Sequence, residues 1–423
     1  MSSKSRAAKI LEQVRGQRAS GLLLLYTAQA FRGIQPLIVI PAIARVAGEQ
    51  GLAIFMYTLT VGSVLTMCVE YGFGINATRD AAKVAHCRES LTKIFTRVLI
   101  SQSLISVGFA IVSVIALLYL LDKNADSKLI TYAVLAHAAL GMLPFWYLRA
   151  VREYRTIVLI DIISKLIVVA VVLIGVHSTD DFYLIFMGQL FGVLLGFFYF
   201  FRSSGVALAV SELTMGNVQR TLSSGWAYFT MRLGGTLLID GALLAYGYRA
   251  KPEEFGLFSA CFRLINASRN LLNPIVDFFM PRVSRLHAQN RDIEGPLLAS
   301  ALVATLVGGM VLILFGLGSG ALAELYLGES IIGGARILQA LAAFPLVVAI
   351  NLVLASIWLV GVNETSGINR IIFFWACCCM ATIMFVPTPS GMHEPVFMAL
   401  AIVVTQCLLL VSFVLKLIFF YRH

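Results

Sequence analysis

Charged and amide side chains occur deep inside two apolar segments in the middle of the chain, roughly 225–247 and 254–280. In the first segment, Arg232, Thr236 and Asp240 recur at every fourth position. The second segment carries five polar residues at successive spacings of 3, 4, 3 and 4, namely Arg263, Asn266, Asn270, Asn273 and Asp277. At about 3.6 residues per turn, each set falls on one face of a helix. Guanidinium groups bind phosphate through paired hydrogen bonds. Arginines beside asparagine side chains therefore suit a phosphate-like or otherwise anionic ligand.

The rest of each segment is apolar, as in a membrane-spanning helix with one face lining a polar cavity. Eight charged residues lie inside predicted spans: Arg32, Lys165, Arg232, Arg263, Arg269, Asp161, Asp240 and Asp277. A lysine or arginine that faces lipid at the bilayer centre costs about 2.5–3.5 kcal/mol, so these side chains must face protein or a water-filled cavity. Five cations against three anions leave two cations without a carboxylate, and Glu70 at the edge of the second span can compensate one of them.

We therefore predict a central cavity through which an anionic ligand is moved. Its predicted lining consists of Arg32, Arg232, Arg263, Arg269, Asn266, Asn270, Asn273, Asp240 and Asp277. In the alternative interpretation, each arginine instead braces a carboxylate and holds helices together, for example Arg232 with Asp240 or Arg263 with Asp277.

Three further titratable residues within spans have both a coupling and a structural interpretation. Asp161 and Lys165 are four residues apart, so their side chains can neutralise each other on one helix face. His137 titrates near neutral pH, which suits proton coupling, but a histidine hydrogen-bonded between helices has the same sequence signature. The chain contains no nucleophile motif, glycine-rich phosphate loop or metal-ligand cluster, so we expect no catalytic residue, no metal and no cofactor.

The composition is that of a polytopic membrane protein. Of the 423 residues, 59% are hydrophobic and 13% charged, whereas ordinary soluble domains have about 25% charged residues. The net charge of +10 is explained by basic cytoplasmic loops, so it does not indicate nucleic-acid binding. The seven cysteines include no Cys-x-x-Cys pair, and neither a disulfide framework nor a zinc site is indicated.

Twelve apolar runs are each close to 20 residues or longer, which is enough to cross a hydrocarbon core of about 30 Å. They cover roughly 21–44, 51–74, 98–121, 129–148, 156–176, 182–201, 225–247, 254–280, 296–318, 337–361, 371–387 and 395–415. The tails and loops on the N-terminal side carry 21 lysines and arginines, against 6 on the opposite side. Because cytoplasmic loops are enriched in basic residues, this asymmetry predicts that both termini are cytoplasmic.

A weak internal repeat divides the chain into two halves. Phe31-Arg32 corresponds to Met231-Arg232, and Glu49-Gln50-Gly51-Leu52 corresponds to Glu254-Phe255-Gly256-Leu257. Six spans separate the copies, so the repeats are parallel rather than inverted. The chain is accordingly predicted to be all-α, with an N-terminal six-helix bundle over 1–201 that includes a basic cytoplasmic tail. A cytoplasmic linker over 202–224 and a second six-helix bundle over 225–423 complete the predicted organisation.

Several short stretches carry a family resemblance that covers essentially the whole chain. They are Tyr71-Gly72-Phe73 with Ala77-Thr78-Arg79, Asp161-Ile162-Ile163-Ser164-Lys165, Gly225-Trp226-Ala227-Tyr228-Phe229 with Arg232, and Pro281-Arg282-Val283-Ser284. With the twelve spans, they resemble the O-antigen repeat-unit flippases (Wzx) of the multidrug/oligosaccharidyl-lipid/polysaccharide (MOP) exporter superfamily.

The resemblance implies a MATE-like fold in the bacterial inner membrane. It also implies movement of undecaprenyl-diphosphate-linked oligosaccharide to the periplasmic leaflet by alternating access. The implied partners are the lipid-linked oligosaccharide itself, a polysaccharide polymerase and a chain-length regulator, with proton or sodium coupling.

Two alternatives remain open at this point. One is another exporter of the superfamily, either a peptidoglycan-precursor flippase, for which we expect more than twelve helices, or a drug antiporter. The cationic cavity argues against organic-cation drugs as cargo. The other is an integral-membrane transferase acting on polyprenyl phosphate, which also needs arginines. Such an enzyme needs acidic or histidine groups clustered at loop ends, and the sequence shows no such cluster.

Overall fold

A computed structural model describes residues 3–121, 126–289, 291–328, 333–359 and 367–422. Side chains are described from Gln35 onward, apart from those of residues 270, 273, 274, 277, 281, 285, 288 and 420–422. The described chain is entirely helical and contains no strand. The predicted all-α membrane fold is therefore confirmed.

Seventeen α-helices make up the described part of the chain. Those of the first half are α1 (Ser3–Glu70), α2 (Asn76–Lys83), α3 (Arg88–Leu120), α4 (Ser127–Met142), α5 (Phe145–Ala150), α6 (Tyr154–Gly175) and α7 (Phe182–Ser204). Those of the second half are α8 (Met215–Thr236), α9 (Ala242–Arg249), α10 (Pro252–Ala267), α11 (Asn273–Ala288), α12 (Glu294–Leu317), α13 (Ser319–Leu327), α14 (Gly334–Leu341), α15 (Phe344–Leu352), α16 (Ile368–Phe385) and α17 (Glu394–Arg422). Short 3-10 or π segments join several of them.

Nine helical stretches within the described residues are long and apolar enough to cross a membrane. They correspond to nine of the twelve predicted spans. The other three are the first span, most of which lacks described side chains, and the two central segments that carry the buried charges. The total of twelve is thus consistent with the structure. The first two predicted spans form the long helix α1, which is interrupted at Gly48 (φ 62°, ψ −161°), a conformation that favours glycine.

Both central segments differ from the continuous helices that the periodicity predicts. A π turn, Leu237–Gly241, joins α8 to α9, and a 3-10 segment, Ser268–Leu272, joins α10 to α11. Pro274 lies in the first turn of α11, where it lacks an amide hydrogen and clashes with the carbonyl four residues earlier, so a regular helix cannot run through this point. Irregular backbone at membrane depth is tolerated where it is buried in protein or lines a cavity.

The two halves share a hydrophobic core. Phe55 and Phe182 of the first half belong to the same buried cluster as Phe258 and Phe344 of the second, and each is at most 1% exposed. Aromatic rings of this size supply the largest apolar area per residue, so their burial ties the halves together. Three smaller clusters of buried residues are also present among the described residues. Two lie mainly within the first half, and one lies entirely within the second.

The connection between the halves is anchored on the first half. Arg97 Nε donates a 2.6 Å hydrogen bond to Glu212 Oε2, and the amide of Ala209 donates to Thr96 Oγ1 at 2.9 Å. The hydrogen bond from Arg97 lowers the pKa of the Glu212 carboxyl. Since α8 begins at Met215, ten residues before the predicted span, the predicted linker over 202–224 is partly helical.

Candidate functional site

A cavity of about 560 Å³ lies between the two halves of the protein. The first half contributes polar side chains from α1, α6 and α7, and the second half contributes charged and amide side chains from α10 and the 3-10 segment that follows it. These polar lining residues are Gln35, Asp161, Ser164, Lys165, Gln189, Arg263, Asn266 and Arg269. Among the described side chains, three cations and one anion therefore line the same space, which gives this part of the lining a net positive charge.

Arg263 and Asn266 present unused hydrogen-bonding groups at this cavity. Arg263 donates from one terminal nitrogen to Thr60 Oγ1 of α1 at 3.0 Å. Its Nε and the Asn266 Oδ1 atom are buried and have no hydrogen-bond partner among the described residues. Because an unmade buried hydrogen bond is costly, an open donor on Arg263 and an open acceptor on Asn266 indicate a place where a polar ligand binds.

Asp240 supports the two arginines from behind the cavity. It lies in the π turn between α8 and α9 and interacts electrostatically with both Arg263 and Arg269. The hydroxyl of Ser63 on α1, which donates to the Thr60 carbonyl at 2.9 Å, also interacts with this carboxylate. One carboxylate thus serves two guanidinium groups, and a positive charge remains available for an anionic ligand.

The opposite wall carries the ion pair between Asp161 and Lys165. Lys165 Nζ lies 2.8 Å from Asp161 Oδ1, as the spacing of four residues predicts for one helix face. Both residues line the cavity. His137 lies elsewhere, buried between helices with Nδ1 2.9 Å from the carbonyl of Ala133 and its ring near Phe186. Its surroundings are those of a histidine packed between helices.

Arg232 is not among the residues that line this cavity. It forms an ion pair with Glu70 at the end of α1, and not with Asp240. Eight residues of helix rise about 12 Å, so Arg232 and Asp240 lie too far apart along α8 and the π turn to form an ion pair. The partner of Arg232 is therefore the carboxylate at the edge of the second predicted span.

Two of the stretches that carry the family resemblance meet around this ion pair. Tyr71 stacks on Phe229 with ring centroids 4.6 Å apart, and Arg79 donates to the Tyr228 hydroxyl at 3.0 Å. Gly72 has φ 82°, and a Cβ there would lie 2.9 Å from the backbone nitrogen of Phe229. We call these contacts the Glu70 seam. They join the first half to α8.

A second seam joins the halves along α1 just after its break at Gly48. Tyr57 stacks on Phe255 with centroids 3.8 Å apart, and its hydroxyl donates to the carbonyl of Gly247 at 3.1 Å. Gly256 packs so closely against Ala53 that an added Cβ would lie 2.7 Å from the Ala53 backbone nitrogen. We call these contacts, with that between Gln50 and Glu253, the Gln50 seam.

Four residues of the predicted cavity lining lie outside the described side chains: Arg32, Asn270, Asn273 and Asp277. The structure brings together Arg263, Asn266 and Arg269 and places Asp240 beside them. Sequence reasoning missed Gln35, Gln189 and Ser164 as lining residues and Thr60 and Ser63 as supports. Isolated uncharged polar residues in apolar helices gave no periodic signal that singled them out.

Comparison with known proteins agrees with this arrangement. A family described as "Polysaccharide biosynthesis protein" matches residues 19–287. A protein of Escherichia coli (strain K12) named "Putative O-antigen transporter" is 24% identical over 397 residues, which cover 92% of this chain and 93% of that relative.

Two solved structures share the fold at low sequence identity. "Lipid II flippase MurJ, inward closed conformation" has a TM-score of 0.73 at 12% identity, with 94% of this chain and 87% of that one covered. "Inward-facing conformation of a multidrug resistance MATE family transporter of the MOP superfamily" has a TM-score of 0.70 at 13% identity and covers 92% and 94% of the two chains. The chain therefore has the fold of the MOP superfamily.

Proposed function

Because the chain belongs to the polysaccharide biosynthesis protein family, we propose that it is a flippase for a lipid-linked oligosaccharide. The cargo we propose is an undecaprenyl-diphosphate-linked repeat unit of O-antigen or another surface polysaccharide. The protein would carry the unit from the cytoplasmic to the periplasmic leaflet of a bacterial inner membrane.

The cationic cavity between the halves is the observation that carries this proposal. Arg263, Arg269 and Lys165 line a space of about 560 Å³, and Asp161 is the one anion among its described lining residues. A diphosphate presents several charged oxygens, and guanidinium groups bind such oxygens in pairs. The unpartnered Arg263 Nε and Asn266 Oδ1 would complete the binding of the head group and the first sugar.

The two seams suit a mechanism of alternating access. Both join the first half of the chain to the second, through α8 at the Glu70 seam and α10 at the Gln50 seam. Opening the Glu70 seam would admit the head group from the cytoplasm, and opening the Gln50 seam would release it on the other side. A proton or sodium gradient is the energy source we expect, with a polysaccharide polymerase and a chain-length regulator as downstream partners.

Deleting the gene is expected to abolish surface polysaccharide while lipid-linked repeat units accumulate on the inner leaflet. The reason is that synthesis of the repeat unit on the cytoplasmic side does not need the flippase, whereas assembly of the polysaccharide on the periplasmic side does. Electrophoresis of the surface polysaccharide and mass spectrometry of extracted lipid-linked intermediates measure both. A mutant that lacks the lipid-linked intermediate altogether would instead identify a transferase, and the flippase proposal would fail.

The proposed orientation places loops 76–97 and 281–295 in the cytoplasm and loops 122–128 and 177–181 outside. In a cysteine-free variant, Lys83→Cys is expected to resist a membrane-impermeant thiol reagent in intact cells and to react after lysis. Lys83 suits this test because its side chain is 65% exposed. The matched outside position is Asp180→Cys, which is also exposed and should react in intact cells. The reverse labelling pattern would overturn the orientation.

A further inference from the structure

The chain that connects the two halves exposes a run of large apolar side chains. Four of the eight residues from 208 to 215 are of this kind, and each is between 53% and 75% exposed: Leu208, Val210, Leu213 and Met215. We call residues 205–215 the connecting segment. Single exposed apolar residues are common on proteins, whereas an apolar patch marks an interaction surface. Four such side chains this close together indicate that the connecting segment has an apolar partner.

The protein holds the connecting segment from its other side. Glu212 is 8% exposed, and its carboxylate accepts from Arg97 Nε at 2.6 Å and from Asn217 Nδ2 at 2.8 Å. Val206 is buried in a cluster formed mainly by the first half. The segment is thus fixed on α3 through its carboxylate, and its four large apolar side chains are left without protein cover.

The attachment points of the connecting segment lie at the boundary of the hydrocarbon core. Arg97 is followed by 24 positions without a charge, 98–121, which form the third predicted span. Helix α7 ends at Ser204, just past the predicted span 182–201, and Gly205 caps it in the left-handed conformation with φ 58°. At a rise of about 1.5 Å per residue, Arg97 and Gly205 lie within about 6 Å of a predicted span end. The polar head groups on each side of the core occupy a layer of about this depth, so the segment lies among them.

The helix that holds the connecting segment faces lipid on the side of the contact. Leu104, Ile111 and Ile115 of α3 are 49%, 58% and 62% exposed within the predicted span. Arg97 precedes Leu104 by seven residues and Ile111 by fourteen, which is close to whole helical turns, so it lies on the same face. The contact between Arg97 and Glu212 is therefore on the lipid-facing side of α3, and the partner available there is lipid.

Two arginines flank the apolar side chains. Among residues 202–224 the charged ones are Arg202, Glu212 and Arg220, and Glu212 is already paired with Arg97. Both Arg202 and Arg220 are exposed. Basic residues beside apolar ones bind anionic membrane surfaces, and guanidinium groups bind phosphate oxygens in pairs. We propose that the connecting segment is a binding site for anionic phospholipids. Its apolar side chains insert among the acyl chains, and the two flanking arginines bind the phosphate groups.

This lipid site goes beyond the proposed function and does not depend on the cargo. The connecting segment is the covalent link between the halves, and it is bound both to α3 and to the leaflet. The second half then moves relative to a link whose depth in the membrane is fixed. In the proposed orientation this leaflet is the cytoplasmic one.

Fluorescence quenching in reconstituted vesicles tests whether the connecting segment contacts lipid. The full-length protein, without its native cysteines, carries a bimane label on Val210→Cys. Val210 is 75% exposed, so the label displaces no packed side chain. A nitroxide near the top of the lipid acyl chains is expected to quench this label, and aqueous iodide should quench it weakly. Lys83→Cys, at an exposed position of α2, is the matched control, which iodide should quench and the lipid nitroxide should not. Leu213→Cys, also at an exposed position, repeats the test if the first variant does not fold.

The choice of head group is tested in vesicles that contain equal amounts of phosphatidylglycerol and phosphatidylcholine, with the nitroxide on one lipid or the other. Labelled phosphatidylglycerol is expected to quench the label at position 210 more strongly. The double variant Arg202→Gln/Arg220→Gln should weaken this preference by about fivefold for each arginine removed. Arg202→Lys/Arg220→Lys keeps both positive charges and should retain most of the preference.

Three results would overturn the proposal. Iodide quenching at position 210 as strong as that at position 83 would place the segment in water. Protection from both quenchers would show that protein covers the segment, such as a second copy of the chain. Equal quenching by the two labelled lipids, or a preference unchanged in Arg202→Gln/Arg220→Gln, would show that these arginines do not bind anionic head groups. Failure of the flippase proposal in the deletion strain would leave the lipid site standing, since none of these measurements uses transport.

Discussion

Replacing Arg263 or Arg269 with alanine is expected to reduce transport by about one to two decades at unchanged protein level. Each guanidinium lines the cavity, and a charge-assisted contact to a bound anion contributes about 1.5–3 kcal/mol. Folding should survive because Asp240 interacts with both arginines, so either substitution leaves this carboxylate one cationic neighbour. Surface polysaccharide and membrane protein level, measured in the same complemented deletion strain, report the two effects separately.

Two further variants separate ligand binding from structural support. Arg263→Lys and Arg269→Lys keep the charge but remove the planar guanidinium group and its paired N–H donors. An intermediate loss of transport is therefore expected. Arg232→Ala is the control outside the cavity, because its partner is Glu70 in the seam between the halves. That variant should alter the stability or conformation of the Glu70 seam rather than affinity for the anion. Full activity of well-expressed Arg263→Ala and Arg269→Ala proteins would refute the cationic-cavity mechanism.

Should Arg263→Ala accumulate poorly, the double variant Arg263→Ala/Asp240→Asn keeps the test decisive. Neutralising the carboxylate removes the cost of burying it with fewer partners, so the amount of folded protein should recover. If transport recovers with it, Arg263 only braces Asp240, and the structural interpretation holds. If transport stays low at a restored protein level, Arg263 acts on the cargo.

The membrane fold and the family followed directly from the sequence. Apolar runs of sufficient length can only be helices in a bilayer, because every backbone polar group must be satisfied within the segment. The fold is that of solved MOP structures, and the chain belongs to the family of polysaccharide biosynthesis proteins, whose match covers residues 19–287. The prediction of a transporter rather than an enzyme agrees with the name of the Escherichia coli relative, a putative O-antigen transporter. The pair of Asp161 and Lys165 was also predictable, since a spacing of four residues fixes the contact within one helix.

The arrangement of the polar residues in the two central segments was harder to predict for a physical reason. Helical periodicity tells which residues share a face only while the helix remains α-helical. The π turn at Leu237–Gly241 and the 3-10 segment at Ser268–Leu272 each interrupt one of the two sets of polar residues. Each changes the helical register, so residues before and after it no longer share one face. The sequence contains a signal for the second break, Pro274, but none that marks the first. The spacing alone therefore did not tell which members of the two sets line the cavity.

Gly256→Ala is expected to shift the conformational equilibrium toward an open Gln50 seam. An added Cβ at this position would lie 2.7 Å from the backbone nitrogen and 2.8 Å from the Cα of Ala53, so α1 and α10 must separate. Backbone atoms cannot move aside as a flexible side chain does, and overpacking of this kind costs about 1–3 kcal/mol. The closed seam then loses about one decade of population or more. Hydrogen exchange of amides 51–57 and 252–258, followed by mass spectrometry, should show faster exchange than in the wild type.

Gly309→Ala is the matched control for this substitution. Gly309 also lies within a long membrane helix, α12, but nothing lies within 4 Å of an added Cβ there. Alanine has a higher helix propensity than glycine by about 0.8–1 kcal/mol, so this variant should be as stable as the wild type or more stable. The proposed alternating access requires the Gln50 seam to close during each cycle, so transport should fall in Gly256→Ala and remain normal in Gly309→Ala. Unchanged exchange together with unchanged transport in Gly256→Ala would show that the Gln50 seam does not control access to the cavity.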